Sequence, residues 1–321
     1  MIWPNFFIVG AQNSGTTSLY GYLKQHPDVF MPALKEPHYF AQITPSREQR
    51  YLRTIIRDKA AYLRLFDKGR DHKAIGEASP SYLWEPKAPY RIRNAVPHAK
   101  IIILLRDPVE RAYSHYLMDV REGLQELPFC EALERDWNQS KKGWSISQLY
   151  VELGLYAEQV RRYLEVFGSQ QVLILMFDEL ANSALNGKSV VADVLQFLGL
   201  SITPLYQIGT SFAENGFAAA RWPWARRLAG ANWVRRAGQI LVPIRLGSNH
   251  TIKRMVYQRF FVRVVPKPPM DELAGEWLRS IYDPDLTALE AILGRALPGL
   301  RRSWRRPSQP GLGLSFRTFN I

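Results

Sequence analysis

Cysteine is nearly absent: Cys130 is the single thiol among 321 residues. One thiol cannot close an internal disulfide or build a cysteine metal cluster, which fits a reducing compartment. Long apolar runs are lacking too; none reaches the roughly 18 residues that a bilayer span requires. The N-terminal apolar stretch is short and runs directly into glycine, unlike a secretory signal. A cytoplasmic protein is therefore expected. Acidic residues are outnumbered, 29 against 42 Lys and Arg, for a formal net charge of +13. Such a surplus suits polyanionic partners, whether nucleotides, nucleic acid or anionic lipid surfaces. Helix-turn-helix, zinc and RNA-binding signatures are missing, so nucleic acid is not expected as a partner and no metal is expected as a cofactor.

What is present is an ordinary globular composition with strand and helix patterns in alternation. Phe6–Val9, Lys73–Gly76, Lys100–Leu105 and Gln171–Phe177 are strand-like apolar runs. Ile101-Ile102-Ile103-Leu104-Leu105 shows no polar alternation, as expected of a strand covered on both faces. Pro108–Glu122 and Tyr156–Phe167 carry helical spacing, the first with proline in its opening turn. The expectation is an α/β domain with a P-loop-like parallel sheet flanked by helices on both faces. Residues 1–205 form its nucleotide-binding core. Residues 206–321 form a mainly helical, basic and Trp-rich C-terminal lid or subdomain of the same domain. Within this part Arg221–Val265 shows no clear strand pattern, Glu272–Leu293 resumes helical spacing, and the tail after Trp304 reads as extended. Arg221-Trp222-Pro223-Trp224-Ala225-Arg226-Arg227 mixes cations with indoles, which suits a lid, a peripheral membrane contact, or amphipathic helices packed on the core.

The most informative segment is Gly10-Ala11-Gln12-Asn13-Ser14-Gly15-Thr16-Thr17, between the first strand and a helix beginning at Ser18. Two glycines with four residues between them have the spacing of a phosphate-cradling loop. Backbone N–H groups at a helix N-terminus favour an anion there. The lysine that follows the second glycine in nucleoside triphosphatases is absent, and Thr16 stands in its place. That argues against ATP or GTP hydrolysis and for another anionic nucleotide. A second cluster, Arg106, Asp107, Pro108, Arg111 and Ser114, follows another strand end. Arg106 and Ser114 can bind a second phosphate through one charged and one neutral hydrogen bond. Alternatively, Arg106 pairs with Asp107 or caps a helix. Ligands in doubly wound sheets sit beyond the carboxyl ends of strands, so both segments should share one crevice.

Val9-Gly10-Ala11-Gln12-Asn13-Ser14-Gly15-Thr16-Thr17-Ser18-Leu19 resembles the 5′-phosphosulfate loop of sulfotransferases that use 3′-phosphoadenosine-5′-phosphosulfate (PAPS). Leu105-Arg106-Asp107-Pro108-Val109-Glu110-Arg111-Ala112-Tyr113-Ser114-His115-Tyr116 is similar to their 3′-phosphate segment. Lys35-Glu36-Pro37-His38-Tyr39-Phe40 resembles a segment of the heparan-sulfate-type and bacterial branches. Gly76-Glu77-Ala78-Ser79-Pro80-Ser81-Tyr82 and Gly154-Leu155-Tyr156 follow in the family's order, and Lys267-Pro268-Pro269-Met270-Asp271 looks like a C-terminal family stretch. The resemblance implies that Gln12, Asn13, Ser14, Gly15, Thr16, Thr17 and Ser18 hold the 5′-phosphate, and Arg106 with Ser114 the 3′-phosphate. Glu36 would be the base, with Lys35 beside it, unless it is a surface carboxylate merely paired with Lys35. His38 is either a substrate contact or a core imidazole, and His115 is expected to be structural. The acceptor would be a small molecule, lipid or saccharide bearing a hydroxyl or amine.

One departure stands out. The family usually places Lys or Arg at the position of Asn13, donating to the bridging oxygen of the leaving phosphate. A charged donor bond is worth roughly 1.5–3 kcal/mol and a neutral one about 1. By those figures the loss is on the order of tenfold in rate unless Lys35 or another cation substitutes. Two alternatives thus stand beside sulfuryl transfer: a nucleotide-binding relative without turnover, and a P-loop kinase, which the missing lysine disfavours.

Overall fold

The computed structural model describes residues 2–41, 43, 55–144, 146–181, 188–203, 217–220, 262–265 and 267–305. Five parallel strands form the central sheet: β1 (Phe6–Gly10), β2 (Val29–Phe30), β3 (Ala74–Ala78), β4 (Lys100–Leu105) and β5 (Val172–Met176). Their order is β2-β3-β1-β4-β5. Every residue of β1 and β3 is buried, as a sheet covered on both faces demands.

Alternation along the strands sorts side chains into two cores. Phe7, Val9, Ile101, Ile103 and Leu105 face one side. There they meet α2 (Lys59–Arg64), α3 (Ser81–Trp84), α4 (Ala88–Ala95) and α7 (Tyr156–Phe167), with the C-terminal half of α10 (Glu272–Leu293). Phe6, Ile8, Ile102 and Leu104 face the other, against α1 (Thr16–Leu23), α8 (Phe177–Ala181) and α9 (Lys188–Leu198). Complete burial of such a side chain contributes about 1.5–3 kcal/mol, so this double layer carries the fold. A third core joins α5 (Pro108–Glu122) and α6 (Phe129–Trp137) to the N-terminal half of α10. Helices therefore flank both faces of the sheet, as the alternation of patterns predicts.

Sequence patterns and structure part in two places. β2 is only two residues long, too short for periodicity to reveal. Arg221–Val265, expected to hold no clear strand, ends in one: β6 (Phe217–Ala220) pairs antiparallel with β7 (Val262–Val265). In β7 the single arginine of Val262-Arg263-Val264-Val265 leaves three β-branched residues, enough for a short strand. The Arg221–Arg227 cluster and the tail beyond Arg305 lie outside the described residues. No described helix is long and apolar enough to cross a membrane.

Candidate active site

The ends of β1, β3, β4 and β5 bring four segments to one rim of the sheet, where ligands of doubly wound folds are found. Behind β1, the loop is pinned by Ala11 N–H donating to the Leu104 carbonyl at 2.7 Å. Gly15 caps α1 at φ 85°, in the left-handed region. A Cβ there would come within 2.9 Å of the Phe177 ring, so both backbone and space demand glycine. Gly10 is similarly closed off by Leu83, whose Cβ would lie 2.6 Å from an added one. Asn13 also has φ 61°, uncommon outside glycine but tolerated by asparagine.

Arg106 leaves the end of β4 and braces this loop. Its Nη1 donates to the Asn13 carbonyl at 3.0 Å, and its guanidinium lies 4.5 Å from the centre of the Phe177 ring. Burial lowers its pKa, with Glu110 acting in the opposite direction. Asp107 does not pair with Arg106. It caps α5 instead, accepting from Val109 and Glu110 N–H, and its second oxygen accepts from Ser303. Ser114 lies on α5, half-buried, two turns beyond. Two tyrosines complete the frame. Tyr156 O–H donates to the Arg106 carbonyl at 3.0 Å and shares a hydrogen bond with Ser14, and its pKa is pushed up to about 12 by burial. Tyr150 O–H donates to Asp119 at 2.8 Å.

His115 is buried, consistent with a structural residue, yet it does reach the loop: its Nε2 lies 3.4 Å from Gln12 Nε2. Burial, reinforced by the nearby Arg111, lowers its pKa well below the usual value. The neutral ring can therefore accept from the Gln12 amide. Asn13 presents no cation. Its Nδ2 contacts Met118 Sδ at 3.8 Å, and its buried Oδ1 has no hydrogen-bond partner among the described residues.

The second half of the site rises beside β3. Glu36 N–H donates to the Ala78 carbonyl at 3.0 Å, placing Lys35-Glu36 at the end of that strand. Lys35 forms an ion pair with Glu36, whose side chain is 37% exposed, and His38 Nε2 lies 3.9 Å from the same carboxylate. The pairing raised as the alternative for Glu36 is thus present, and it leaves the carboxylate open to solvent. Glu36 and His38 both adopt positive φ, 61° and 52°. Strained non-glycine backbone persists only where surroundings over-determine it. Here His38 N–H donates to Ser79 Oγ at 3.1 Å, and His38 Nδ1 bonds Ser81 Oγ at 2.7 Å. Burial holds the His38 imidazole at a pKa of about 4, although Glu36 opposes the shift.

Beneath them lies a carboxylate to which the sequence motifs assign no role. Glu77, fully buried on β3, accepts from Ser79 Oγ at 2.6 Å, Tyr82 O–H at 2.9 Å and Tyr62 O–H at 3.0 Å. Burial raises its pKa to about 7, with the three hydroxyls opposing. The visible clue is a lone carboxylate, Glu77, among the small and apolar residues of Ala74-Ile75-Gly76-Glu77-Ala78, a strand buried along its whole length. Lys267 is also brought in from far along the chain, 2.5 Å from Glu110 Oε2.

Residues 4–204 match the family model described as Sulfotransferase family. Human carbohydrate sulfotransferase 15 is 31% identical over 289 residues, covering 72% of this chain and 49% of its own length. Mouse bifunctional heparan sulfate N-deacetylase/N-sulfotransferase 4 is 26% identical over 314 residues, covering 94% of this chain and 31% of its own. The chain spans about half the length, or less, of the curated relatives it matches. A solved sulfotransferase from Alicyclobacillus acidocaldarius is similar over 95% of this chain and 100% of that one, with 33% identity and a TM-score of 0.68.

Proposed function

Because this chain belongs to the sulfotransferase family, we propose that it moves a sulfuryl group from PAPS to a hydroxyl or amine of a saccharide. The observation that carries this reading is the 3.0 Å bond from Arg106 to the Asn13 carbonyl, which joins the two phosphate-type segments into one cradle. Such a cradle suits a nucleotide with phosphates at two positions. The loop amides from Gln12 to Ser18 and the Thr16 and Thr17 hydroxyls hold its 5′ end; Arg106 and Ser114 hold its 3′-phosphate. When bound, PAPS supplies the sulfuryl group and leaves as 3′-phosphoadenosine-5′-phosphate (PAP). Relatives named for carbohydrate and heparan sulfate chemistry support a saccharide acceptor.

The residues divide the work. Glu36 takes the proton of the acceptor hydroxyl or amine as its oxygen or nitrogen bonds to sulfur and the bond from sulfur to the phosphate oxygen breaks. Lys35 orients that carboxylate, and the neutral His38 walls the position beside it. In-line placement and preorganised donors at the leaving phosphate supply the remaining acceleration. A second reading, nucleotide binding with weak turnover, is favoured by Asn13, whose amide faces Met118 where the family usually places a cation.

Incubation with radiolabelled PAPS and a panel of saccharides, glycolipids and phenols tests both. Label on a saccharide supports transfer as proposed. Label on lipids or phenols alone overturns the acceptor class. Nucleotide binding with no labelled product from any acceptor favours the second reading.

A further inference from the structure

Glu110 has no part in the proposed phosphate cradle, yet it sits against it. Glu110 lies four residues after Arg106 and four before Ser114. On α5 that spacing puts its side chain on the face shared with Ser114. Its Oε2 lies 3.8 Å from Arg106 Nη2 and 2.5 Å from Lys267 Nζ. Lys267 is itself held in place. Its ammonium sits 4.8 Å from the centre of the Tyr113 ring, and Tyr113 O–H donates to the carbonyls of Pro268 and Pro269 at 3.1 and 3.0 Å. One carboxylate is thus clamped between two cations, one a helical turn away and one from a distant part of the chain. It stands where Arg106 and Ser114 would receive a phosphate.

We propose that Glu110 is an internal competitor for the 3′-phosphate: it neutralises Arg106 and Lys267 until the phosphate displaces it, and so limits affinity for the nucleotide and eases loss of PAP. The inference rests on the assignment of Arg106 and Ser114 to that phosphate. A phosphate monoester carries about −1.5 to −2 charge near neutral pH, so it competes well for both cations but is opposed by any carboxylate left beside them. Because Glu110 and Lys267 are partly exposed, solvent screens the effect and keeps it modest. A competitor of this kind acts only on ligands that carry a 3′-phosphate. A mere scaffold for the two cations would show the opposite sign.

Dissociation constants for PAP and for adenosine 5′-monophosphate (AMP), which lacks the 3′-phosphate, separate these cases in wild type and Glu110→Gln. Competition predicts that Glu110→Gln tightens PAP by about twofold to fivefold while AMP changes little. The fold-change in the PAP to AMP ratio is the readout, so a general loss of folding cannot imitate it. Weaker PAP binding in the variant would show that Glu110 holds the cations in place for the phosphate, and would overturn the proposal. Unchanged PAP binding would overturn it too. A wild-type protein that binds neither ligand would remove the nucleotide site itself, a separate failure that takes this inference with it.

Discussion

On the proposed nucleotide side, the loop between β1 and α1 offers main-chain groups, braced from outside by Arg106 and Tyr156. On the proposed acceptor side, Lys35, Glu36 and His38 offer side chains, held over a buried carboxylate and two serines. The first half takes its shape from glycines and a helix start a few residues apart. The second takes its shape from partners more than 40 residues away, such as Ser79 and Ser81. Two kinds of failure should follow: damage to the first half weakens binding, and damage to the second slows turnover at intact binding.

The largest expected effect is Glu36→Gln. It should lower transfer at saturating acceptor by about 10²–10⁴, the usual worth of a positioned base, with PAP affinity nearly intact. Full activity would make Glu36 a surface partner of Lys35 and collapse the distinction between halves. Arg106→Ala should weaken PAP by about 2 kcal/mol or more, and AMP or adenosine 5′-phosphosulfate much less. Equal weakening of all three would mean that Arg106 serves chiefly to brace the Asn13 carbonyl.

Asn13→Lys sharpens the boundary between the halves. A cation at the leaving oxygen acts more on the transition state than on bound nucleotide, so turnover should rise by about tenfold with little change in affinity. If Lys35 already acts there, Lys35→Ala becomes the damaging change and Asn13→Lys is nearly silent. No change in the transfer rate from either substitution would refute leaving-group stabilisation at this loop.

The smallest effect concerns stability. Glu77 has its pKa raised by burial from 4.5 to about 7. A raised carboxyl pKa means that folding favours the protonated form, so the stability it contributes is present below about pH 4.5 and is lost as pH climbs through about 7. His38, lowered from 6.5 to about 4, works in the other direction, its share being lost as pH falls through that range. Glu77→Gln should therefore flatten the decline in melting temperature between about pH 5 and 8. An unchanged slope would mean that Glu77 is ionised throughout. If the carboxylate also positions Glu36, the variant should lower kcat while sparing PAP affinity.

How much of this was legible beforehand follows the same division. β1, β4, β5, α5, α7 and α10 announce themselves through uninterrupted apolar runs or helical spacing, and the glycine loop through its two fixed glycines. Arg106 and the loop could be assigned to one crevice because both follow strand ends. Glu77 could not be read as a support, because its donors Tyr62, Ser79 and Tyr82 come together only when α2 and α3 pack beside β3. The contact of His115 with Gln12 spans 103 residues, and that of Lys267 with Glu110 spans 157; neither leaves a local pattern. Cys130, solitary in the sequence, lies half-buried on α6, with its thiol pKa pushed up to about 11 by burial and by Asp271.

The central proposal is a cradle for a nucleotide with phosphates at both the 3′ and 5′ positions of its ribose. The direct test is the melting temperature of the wild-type protein with saturating PAP, AMP, or ATP with Mg²⁺. A ligand that binds only the folded state stabilises it by mass action, by about 2.7 kcal/mol at a hundredfold excess over its dissociation constant. The account predicts the largest rise with PAP, a smaller one with AMP, and no advantage for ATP with Mg²⁺. A rise with ATP and Mg²⁺ that equals or exceeds the PAP rise would contradict it.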